Sequence, residues 1–244
     1  EKLNLPEDVP IENKFVSRSL TEAQKRVETH NYDMRKHVVQ YDDVLNKQRT
    51  VIYAKRGELL IDAEVHPEIT KTRVLEMIQQ EIDDLVSAHT QGQVQEQWDI
   101  KEIYETMVTM FPLLDDEKLA LDKIQELPEN KDPENQRETM LVEVPLKLAD
   151  YLFGLAAITY DQVEKELEET VGDVGAFRTV EKQLLIRTID NLWIIHLETM
   201  DALRGSIGLR GYGQRDPLVE YKKEGFNVFN GLLKEIQKNV VYSI

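Results

Sequence analysis

The sequence contains no cysteine among its 244 residues. This absence excludes disulfide bonds, thiolate-bound zinc and a thiol nucleophile. The sequence also has no run of 18 or more apolar residues, and its first residues, EKLNLPEDVP, lack a methionine and the basic-then-apolar layout of a signal peptide. We therefore expect neither a membrane span nor a secretory leader, and we expect the chain to be a piece of a longer protein.

The motifs of nucleotide chemistry are absent as well. No G-x-x-x-x-G-K-[ST] segment is present to wrap a phosphate. Adjacent carboxylates such as Asp83 and Asp84 diverge on the surface of a helix, and no loop has the spacing of a calcium site. We expect no catalytic residue, no bound cofactor and no metal site, so that the chain alone is not an enzyme.

Positive charge is scarce, with 30 lysines and arginines against 46 aspartates and glutamates and a formal net charge of -16. Such a surface repels polyphosphates. A local basic cluster, formed by Arg204, Arg210 and Arg215, is too small to overcome this repulsion. We expect no nucleic-acid partner.

What the sequence does contain is helical periodicity. Residues 19–22, SLTE, form a capping-box pattern that predicts the start of a helix at Ser19. Apolar residues then recur in steps of three, four or seven, which keeps one stripe facing a partner. The stripe consists of Leu20, Ala23, Val27, Met34, Val38, Tyr41, Leu45, Ile52 and Leu59. A helix from Ser19 to Leu60 would be roughly 60 Å long, which predicts a strut rather than a core helix.

A different region follows, in which six prolines and glycines predict shorter helices. These interrupting residues are Pro67, Gly92, Pro112, Pro128, Pro133 and Pro145. We predict a separate helical lobe with helices at Pro67 to His89, Asp99 to Met110, Asp115 to Gln125 and within Glu134 to Glu169. Its core is predicted to include Trp98, Tyr104, Phe111, Tyr151 and Phe153.

Periodic apolar residues return on two segments on either side of a glycine-rich turn. They are Leu185, Ile189, Leu192, His196, Met200 and Leu203, and then Phe226, Phe229, Leu233, Ile236 and Val240. This pattern predicts an antiparallel helical hairpin. Asp216 followed by Pro217 predicts the start of the second helix, with an N-cap aspartate before a proline at the first helical position.

Two dense motifs stand out, one in each half of the chain. DNLWIIHLETMDALRGSIGLRGYGQRDPLVEYKKEGFNVF, residues 190–229, resembles the two-helix finger of the SecA family of bacterial preprotein translocase motors. TEAQKRVETHNYDMRKHVVQYDDVLNKQRTVIYAKRGELL, residues 21–60, is similar to the start of its helical scaffold helix. The middle lobe corresponds to the helical wing in position and character.

The resemblance implies an all-α fold in which a long scaffold helix packs with an antiparallel two-helix finger beside a small wing lobe. The implied domains are the trailing end of a second nucleotide-binding lobe at 1–16, the long scaffold helix at 17–62, the helical wing at 63–178, and the finger with the rest of the scaffold at 179–244.

The implied function is to couple ATP hydrolysis in absent motor lobes to the movement of preprotein through the SecYEG channel. ATP and magnesium would bind only in the parent protein. The implied partners are the SecYEG channel, unfolded preproteins and the parent's own motor domains. The expected location is the cytoplasm and, peripherally, the inner face of the bacterial plasma membrane. Surfaces that the motor lobes would cover predict self-association of this chain.

The family likeness also answers why a turn between two helices carries an aromatic residue. Tyr212 corresponds to the finger-tip aromatic that touches the moving polypeptide, and its amphipathic ring suits contact without sequence preference. Arg210 and Arg215 are assigned to channel or substrate contacts. Gly208, Gly211 and Gly213 are expected to let the tip adopt unusual backbone angles.

Smaller roles are assigned to five further residues. Tyr41, Asp42 and Asp43 are candidates for contact with the motor lobes, and helix packing with solvated carboxylates is an equal alternative. Trp193 and His196 lie one turn apart and are interpreted as a buried structural pair of the finger.

A second function remains open from the sequence. A stand-alone helical adaptor or holdase could use the same architecture to bind unfolded polypeptide or a partner helix. A gene without upstream motor domains would favour this alternative.

Overall fold

The computed structural model describes residues 14–90, 98–113, 120, 121, 123, 124, 133–210 and 216–244, with the backbone alone at 133–140 and 208–210. The described residues form helices and connecting turns and contain no strand, which confirms the predicted all-α class. The helices are α1 (Lys14–Val65), α2 (Pro67–His89), α3 (Ile100–Met110), α4 (Pro133–Val171), α5 (Ala176–Arg210) and α6 (Pro217–Val241).

The long helix α1 begins at Lys14, so the predicted start at Ser19 is wrong. Residues 14–18 contain no proline or glycine, and the helix extends through them. The Thr21 hydroxyl donates to the Ser17 carbonyl at 2.9 Å, a back-bond typical of a helix interior. Of the predicted stripe, Ile52 and Leu59 are buried, whereas its members between Leu20 and Val38 are exposed.

The helices α2 and α4 pack through two matched rows of side chains. The row on α2 repeats every four residues and consists of Thr70, Val74, Ile78, Ile82 and Val86. The row on α4 has the same spacing and consists of Val144, Leu148, Leu152, Ala156 and Tyr160. The helices α2 and α4 pack against each other, and α3 adds Ile103 and Met107, both fully buried, to the same lobe. Ridges with a spacing of four interdigitate well, which explains the close α2 and α4 contact.

The bounds of α2 match the prediction, because Pro67 occupies a first helical position where its missing N–H costs nothing. The start of α3 is capped by Asp99, whose carboxylate accepts from the Glu102 amide at 3.0 Å. The predicted break at Pro145 is wrong, since α4 continues through it. Val144 and Leu148 on either side are fully buried, and their burial outweighs the lost backbone hydrogen bond. Most of the predicted helix Asp115 to Gln125 lies outside the described residues, although 120, 121, 123 and 124 are helical.

A four-residue turn joins α4 to α5. It contains Gly172 and Gly175, with φ of 73° and 98°, in the left-handed region that favours glycine. Glu168 fixes the turn, because its carboxylate accepts from the Gly175 amide at 2.7 Å and its carbonyl accepts from the Gly172 amide at 2.8 Å. The reversal brings the start of α5 against the end of α4.

The buried face of α6 agrees with the predicted seam at Phe229, Ile236 and Val240 and is shifted by one residue at two positions, where Gly225 and Leu232 are buried in place of Phe226 and Leu233. Tyr221 and Val241 are buried as well. Phe226, predicted to lie in the seam, is 63% exposed, so this part of the prediction is wrong. The position four residues after Tyr221, on the same face of the helix, is Gly225. Gly225 is therefore buried, and Phe226 is not.

The chain groups into two compact units. One comprises residues 1–49 and 200–225, and the other comprises 50–199 and 226–244. The helices α1, α5 and α6 each contribute to both units. These units are defined by contacts within the chain, whereas the predicted domain boundaries come from the family resemblance. The units do not test those boundaries, which stay a prediction.

Candidate functional site

The predicted coupling residues Tyr41, Asp42 and Asp43 belong to the first unit, where α1 meets α6. Tyr41 of α1 and Tyr221 of α6 place their ring centroids 4.8 Å apart at 48°. Tyr221 is buried, and burial raises the pKa of its hydroxyl, while the charge of Arg204 acts in the opposite direction. The tilted aromatic pair thus attaches α1 to α6.

A hydrogen bond between the same helices fixes their register. The buried Gln48 donates through Nε2 to the Gly225 carbonyl at 2.8 Å. Gly225 is closely packed, since a Cβ at this position would lie 3.0 Å from Met200 Cε and 3.5 Å from Val44 Cγ1. A glycine therefore allows α1, α5 and α6 to approach each other at one point.

The two predicted coupling carboxylates have different surroundings. Asp42 forms an ion pair with Arg204 of α5, in which Asp42 Oδ1 lies 3.5 Å from Arg204 Nη1. Asp43 pairs with Lys47 of its own helix at 2.9 Å. All four side chains are more than half exposed, so these pairs stabilise the fold little. Asp42 thus contacts α5, whereas the ion pair of Asp43 stays within α1.

The predicted tip lies largely outside the described residues. Gly208 and Arg210 belong to the last turn of α5, and only their backbone is described. Tyr212, Arg215, Gly211 and Gly213 lie outside the described part of the chain. Their assigned contacts with channel and polypeptide therefore stay predictions.

The exit of the turn is described. Asp216 precedes α6, and its carboxylate accepts from the Leu218 amide at 2.8 Å. Its carbonyl accepts from the Val219 and Glu220 amides at 3.1 and 3.2 Å. With Pro217 as the first residue of α6, this geometry is that of an N-cap before proline.

Trp193 and His196 lie in the second unit, and both are buried. Their rings stack at 5.3 Å and 28°, and Tyr53 of α1 contacts Trp193 edge-on at 6.3 Å. Phe229 of α6 contacts His196 with ring centroids 5.7 Å apart at 60°. Burial lowers the pKa of His196, so the neutral imidazole is favoured among these rings.

Beside these rings, an ion pair joins α1 to α5. Arg56 donates twice to Asp190, at 2.8 and 3.0 Å. The two-pronged contact raises the pKa of Arg56 further and fixes its orientation. Tyr53 contacts Trp193 and Arg56 contacts Asp190, so α1 and α5 run antiparallel in this unit. An open groove of about 570 Å³ is lined by Tyr53, Arg56, Gly57, Asp190, Trp193 and Ile194.

The sequence reasoning missed a buried cluster of charged residues in the second unit. Glu181 is fully buried and contacts the Tyr160 hydroxyl and the Arg178 guanidinium. Arg178 also contacts Glu164, and Lys71 of α2 pairs with Glu164 at 2.8 Å and with Asp161 at 2.9 Å. The spacing of Arg178 and Glu181 indicates a helical pair, but nothing in the sequence shows that α2 and α4 complete the cluster.

The described residues contain no group of three or more histidine, cysteine, aspartate or glutamate side chains arranged to hold a metal ion. Within the same residues, no helix is both long and apolar enough to cross a membrane. The residues described above make aromatic and ionic contacts between helices. Such contacts can hold the helices in register.

Comparisons with known proteins agree with this arrangement. A family model described as the SecA Wing and Scaffold domain matches residues 10–244. A protein translocase subunit SecA from Cyanothece sp. is 38% identical over 239 residues, covering 98% of this chain and 23% of the relative. The SecA subunit of Thermosynechococcus vestitus is 37% identical over 243 residues, covering 99% of this chain and 24% of the relative.

The SecA subunit of Trichodesmium erythraeum is likewise 37% identical, over all of this chain and 24% of the relative. The chain thus spans about a quarter of the length of the curated relatives it matches. Since the family model covers nearly all of the residues and the relatives align from end to end of the chain, this protein belongs to the SecA wing and scaffold domain family.

Proposed function

We propose that this chain serves protein export as the scaffold, wing and finger portion of a SecA motor. In this role α1, α5 and α6 carry displacement from the motor lobes of a parent protein to a polypeptide in the SecYEG channel. The single observation that supports this coupling is the contact of α1 with both finger helices at Tyr41, Asp42 and Gln48.

The contacts suit mechanical coupling because they differ in kind. The Gln48 hydrogen bond is directional and fixes α6 along the axis of α1. The close packing at Gly225 leaves little room for sliding, and the Tyr41 and Tyr221 rings resist rotation. A displacement of α1 in this unit therefore carries α6 with it.

The tip is proposed to act at the far end of this coupling. Tyr212 would contact the moving preprotein, and Arg210 and Arg215 would contact the channel or the substrate. The Asp216 cap supports this role, because it starts α6 directly after the turn. Action at the channel would place the protein in the cytoplasm and at the inner face of the bacterial plasma membrane.

Hydrolysis of ATP is proposed to belong to the parent's motor lobes. The absence of a G-x-x-x-x-G-K-[ST] segment from the sequence supports this assignment. No step of hydrolysis is assigned to this chain.

The test is site-specific photo-crosslinking from position 212 in the full-length parent, with a stalled preprotein in membranes that contain the channel. We expect crosslinks to the preprotein and weaker translocation in the Tyr212→Ala variant. Position 242 provides the matched control, because Tyr242 follows the end of α6 on the same chain, far along the helix from the turn. A probe there should not react with preprotein.

The absence of crosslinks from position 212, together with normal translocation in the Tyr212→Ala variant, would contradict the finger proposal. Binding of unfolded polypeptide without any channel or motor lobes would then favour the adaptor alternative.

The coupling carboxylates allow a separate test in the parent protein. Asp42 reaches Arg204 of the finger, so Asp42→Ala is expected to change the ATPase rate that preprotein and channel stimulate. Asp43 lies next to Asp42, but its ion pair stays within α1. A changed ATPase rate in Asp43→Ala would therefore indicate contact with the motor lobes rather than with α5. Unchanged basal and stimulated rates in both variants would contradict coupling through this turn of α1.

A further inference from the structure

The face of α4 that points away from α2 has a spacing that is symmetric about Gly154. Exposed residues lie four, seven and eleven positions before and after this glycine, and helical geometry places all of them within about 40° of it around the axis. They are Glu143, Lys147 and Asp150 before Gly154, and Ile158, Asp161 and Lys165 after it. These seven residues form the outer stripe of α4.

The charges on the outer stripe reverse in sign across Gly154. Glu143 is mirrored by Lys165, and Lys147 is mirrored by Asp161. In an antiparallel pair of two copies with a two-fold axis at Gly154, Glu143 therefore faces Lys165 of the second copy, and Lys147 faces Asp161 of the second copy. Each ion pair occurs twice, because a two-fold contact uses the same patch on both copies. A parallel pair would place each charge against itself, so the charges select the antiparallel arrangement.

The four charged side chains can make these contacts without losing the contacts they have. All are exposed, by 55% for Glu143, 58% for Lys147, 64% for Asp161 and 77% for Lys165. Lys147 pairs with Glu143 at 3.3 Å, and Asp161 accepts from Lys71 at 2.9 Å through Oδ1. An ammonium group has three donors and a carboxylate has two acceptor oxygens, so each side chain can take a further partner.

Gly154 fits the crossing point of two helices. A glycine in a helix interior costs about 1 kcal/mol relative to alanine. Nothing lies within 4 Å of a Cβ added at Gly154, so no contact among the described residues requires a glycine there. A second helix would require one, because the missing side chain lets two backbones approach. The same two-fold axis places Tyr151, which is partly exposed, opposite Ala157 of the second copy, which adds an apolar contact beside the crossing.

We propose that the outer stripe of α4 binds the outer stripe of a second copy of this chain, antiparallel and with Gly154 at the crossing. Most of the stripe is polar, and exposed ion pairs are weak, so we expect a reversible contact that salt weakens. It is separate from the exposed apolar residues in the first half of α1 and weaker than an apolar contact. This inference does not depend on the proposed role in export.

A disulfide trap detects such a weak contact in the full 244-residue chain. The chain has no cysteine, so Gly154→Cys adds a single thiol, and only a residue at the two-fold axis meets its own copy. The matched control is Gly231→Cys on α6, an exposed helical glycine that also has open space around it. Both variants carry Val27→Lys and Val38→Lys, which remove association through the apolar residues of α1.

We expect copper–phenanthroline oxidation to form the covalent dimer about tenfold faster from position 154 than from position 231, because docking raises the effective concentration of the two thiols. The difference should shrink as salt is added. Equal rates at the two positions would overturn the proposal and would leave the stripe to solvent or to a different partner.

A charge exchange tests the register. In the Gly154→Cys background, Glu143→Lys places like charges opposite each other at two points and should slow dimer formation by about fivefold. Adding Lys165→Glu restores opposite charges and should restore the rate. Since the chain carries a formal net charge of -16, Glu143→Lys alone lowers the general repulsion between copies, so a slower rate reports the local pairing. A rate that Glu143→Lys leaves unchanged, or that Lys165→Glu fails to restore, would overturn the antiparallel contact.

Discussion

At the scale of single residues, Gly225 shows how one absent side chain determines how closely three helices pack. A Cβ added there would meet Met200 Cε at 3.0 Å, and the thioether end is flexible enough to move. Replacing a helical glycine by alanine usually stabilises by about 1 kcal/mol. At Gly225 this gain is offset by crowding.

We therefore predict that Gly225→Ala stabilises the chain less than Gly231→Ala does. Gly231 lies in the same helix with nothing within 4 Å of an added Cβ, and so provides the matched control. Gly231→Ala is expected to raise the free energy of unfolding by about 1 kcal/mol, and Gly225→Val to lower it by about 1 to 3 kcal/mol. Urea unfolding measures all three variants. Equal gains for both alanine variants would show that the contact at Gly225 is not tight.

Two buried groups give the free energy of unfolding opposite pH dependences. The pKa of Glu181 rises from 4.5 to about 7, so the folded state binds the proton more tightly than the unfolded state. Stability from this group is present below about pH 4.5 and is lost as the pH rises to about 7. Burial lowers the pKa of His196 from 6.5, so its contribution is present above pH 6.5 and is lost as the pH falls.

We predict that Glu181→Gln flattens the loss of stability between about pH 4.5 and 7, by at most about 3 kcal/mol. His196→Gln should flatten the loss on the acid side of pH 6.5 and leave the Glu181 range intact. Thermal unfolding across this pH range distinguishes the two. A pH profile that is the same in Glu181→Gln and in the unmodified chain would contradict the assignment.

At the scale of helices, periodicity and proline position predicted most of the elements. The bounds of α2 were predictable because Pro67 marks a first turn and Gly92 comes soon after His89 in the sequence. Pro145 misled the same reasoning, since a buried row of side chains on α4 keeps the helix continuous. Phe226 misled it in another way, because a helical stripe fixes the spacing of the buried positions but not which of two adjacent residues faces inward.

We predict that Pro145→Ala raises the free energy of unfolding by about 1 to 3 kcal/mol, because it restores a backbone donor inside α4. Pro67→Ala is the control, since Pro67 begins α2 and its missing donor costs nothing there. The control should change stability by less than about 0.5 kcal/mol. Urea unfolding compares the two. A gain no larger at Pro145 than at Pro67 would show that α4 already accommodates the proline without cost.

The ionic cluster could not be predicted at this scale either. Lys71 and Glu164 are 93 residues apart in the sequence, and Tyr160 and Glu181 are 21 apart across a reversal. Their meeting depends on how α2 packs on α4 and on the two left-handed glycines before α5. Local spacing identifies only the Arg178 and Glu181 pair. By contrast, the Asp216 cap and the stacking of Trp193 on His196 depend on neighbouring residues of the chain, which local patterns describe well.

At the scale of the whole molecule, the distribution of exposed apolar residues on α1 has a consequence for association. Its first half carries Leu20, Val27, Met34 and Val38, each more than half exposed, along a single stripe. The relatives are about four times longer than this chain. An apolar stripe of this length on a surface is a common site of protein contact.

We predict that the isolated chain self-associates through this stripe. Sedimentation equilibrium should show a mass that rises with protein concentration above the 28.4 kDa of one chain. The double variant Val27→Lys with Val38→Lys should restore the monomer, because two buried ammonium groups would oppose the contact. Gln24→Lys with Thr29→Lys adds the same charge at exposed polar positions of the same helix and should still associate. If both double variants remain associated, the contact lies elsewhere; if the unmodified chain is monomeric at high concentration, the stripe does not drive association by itself.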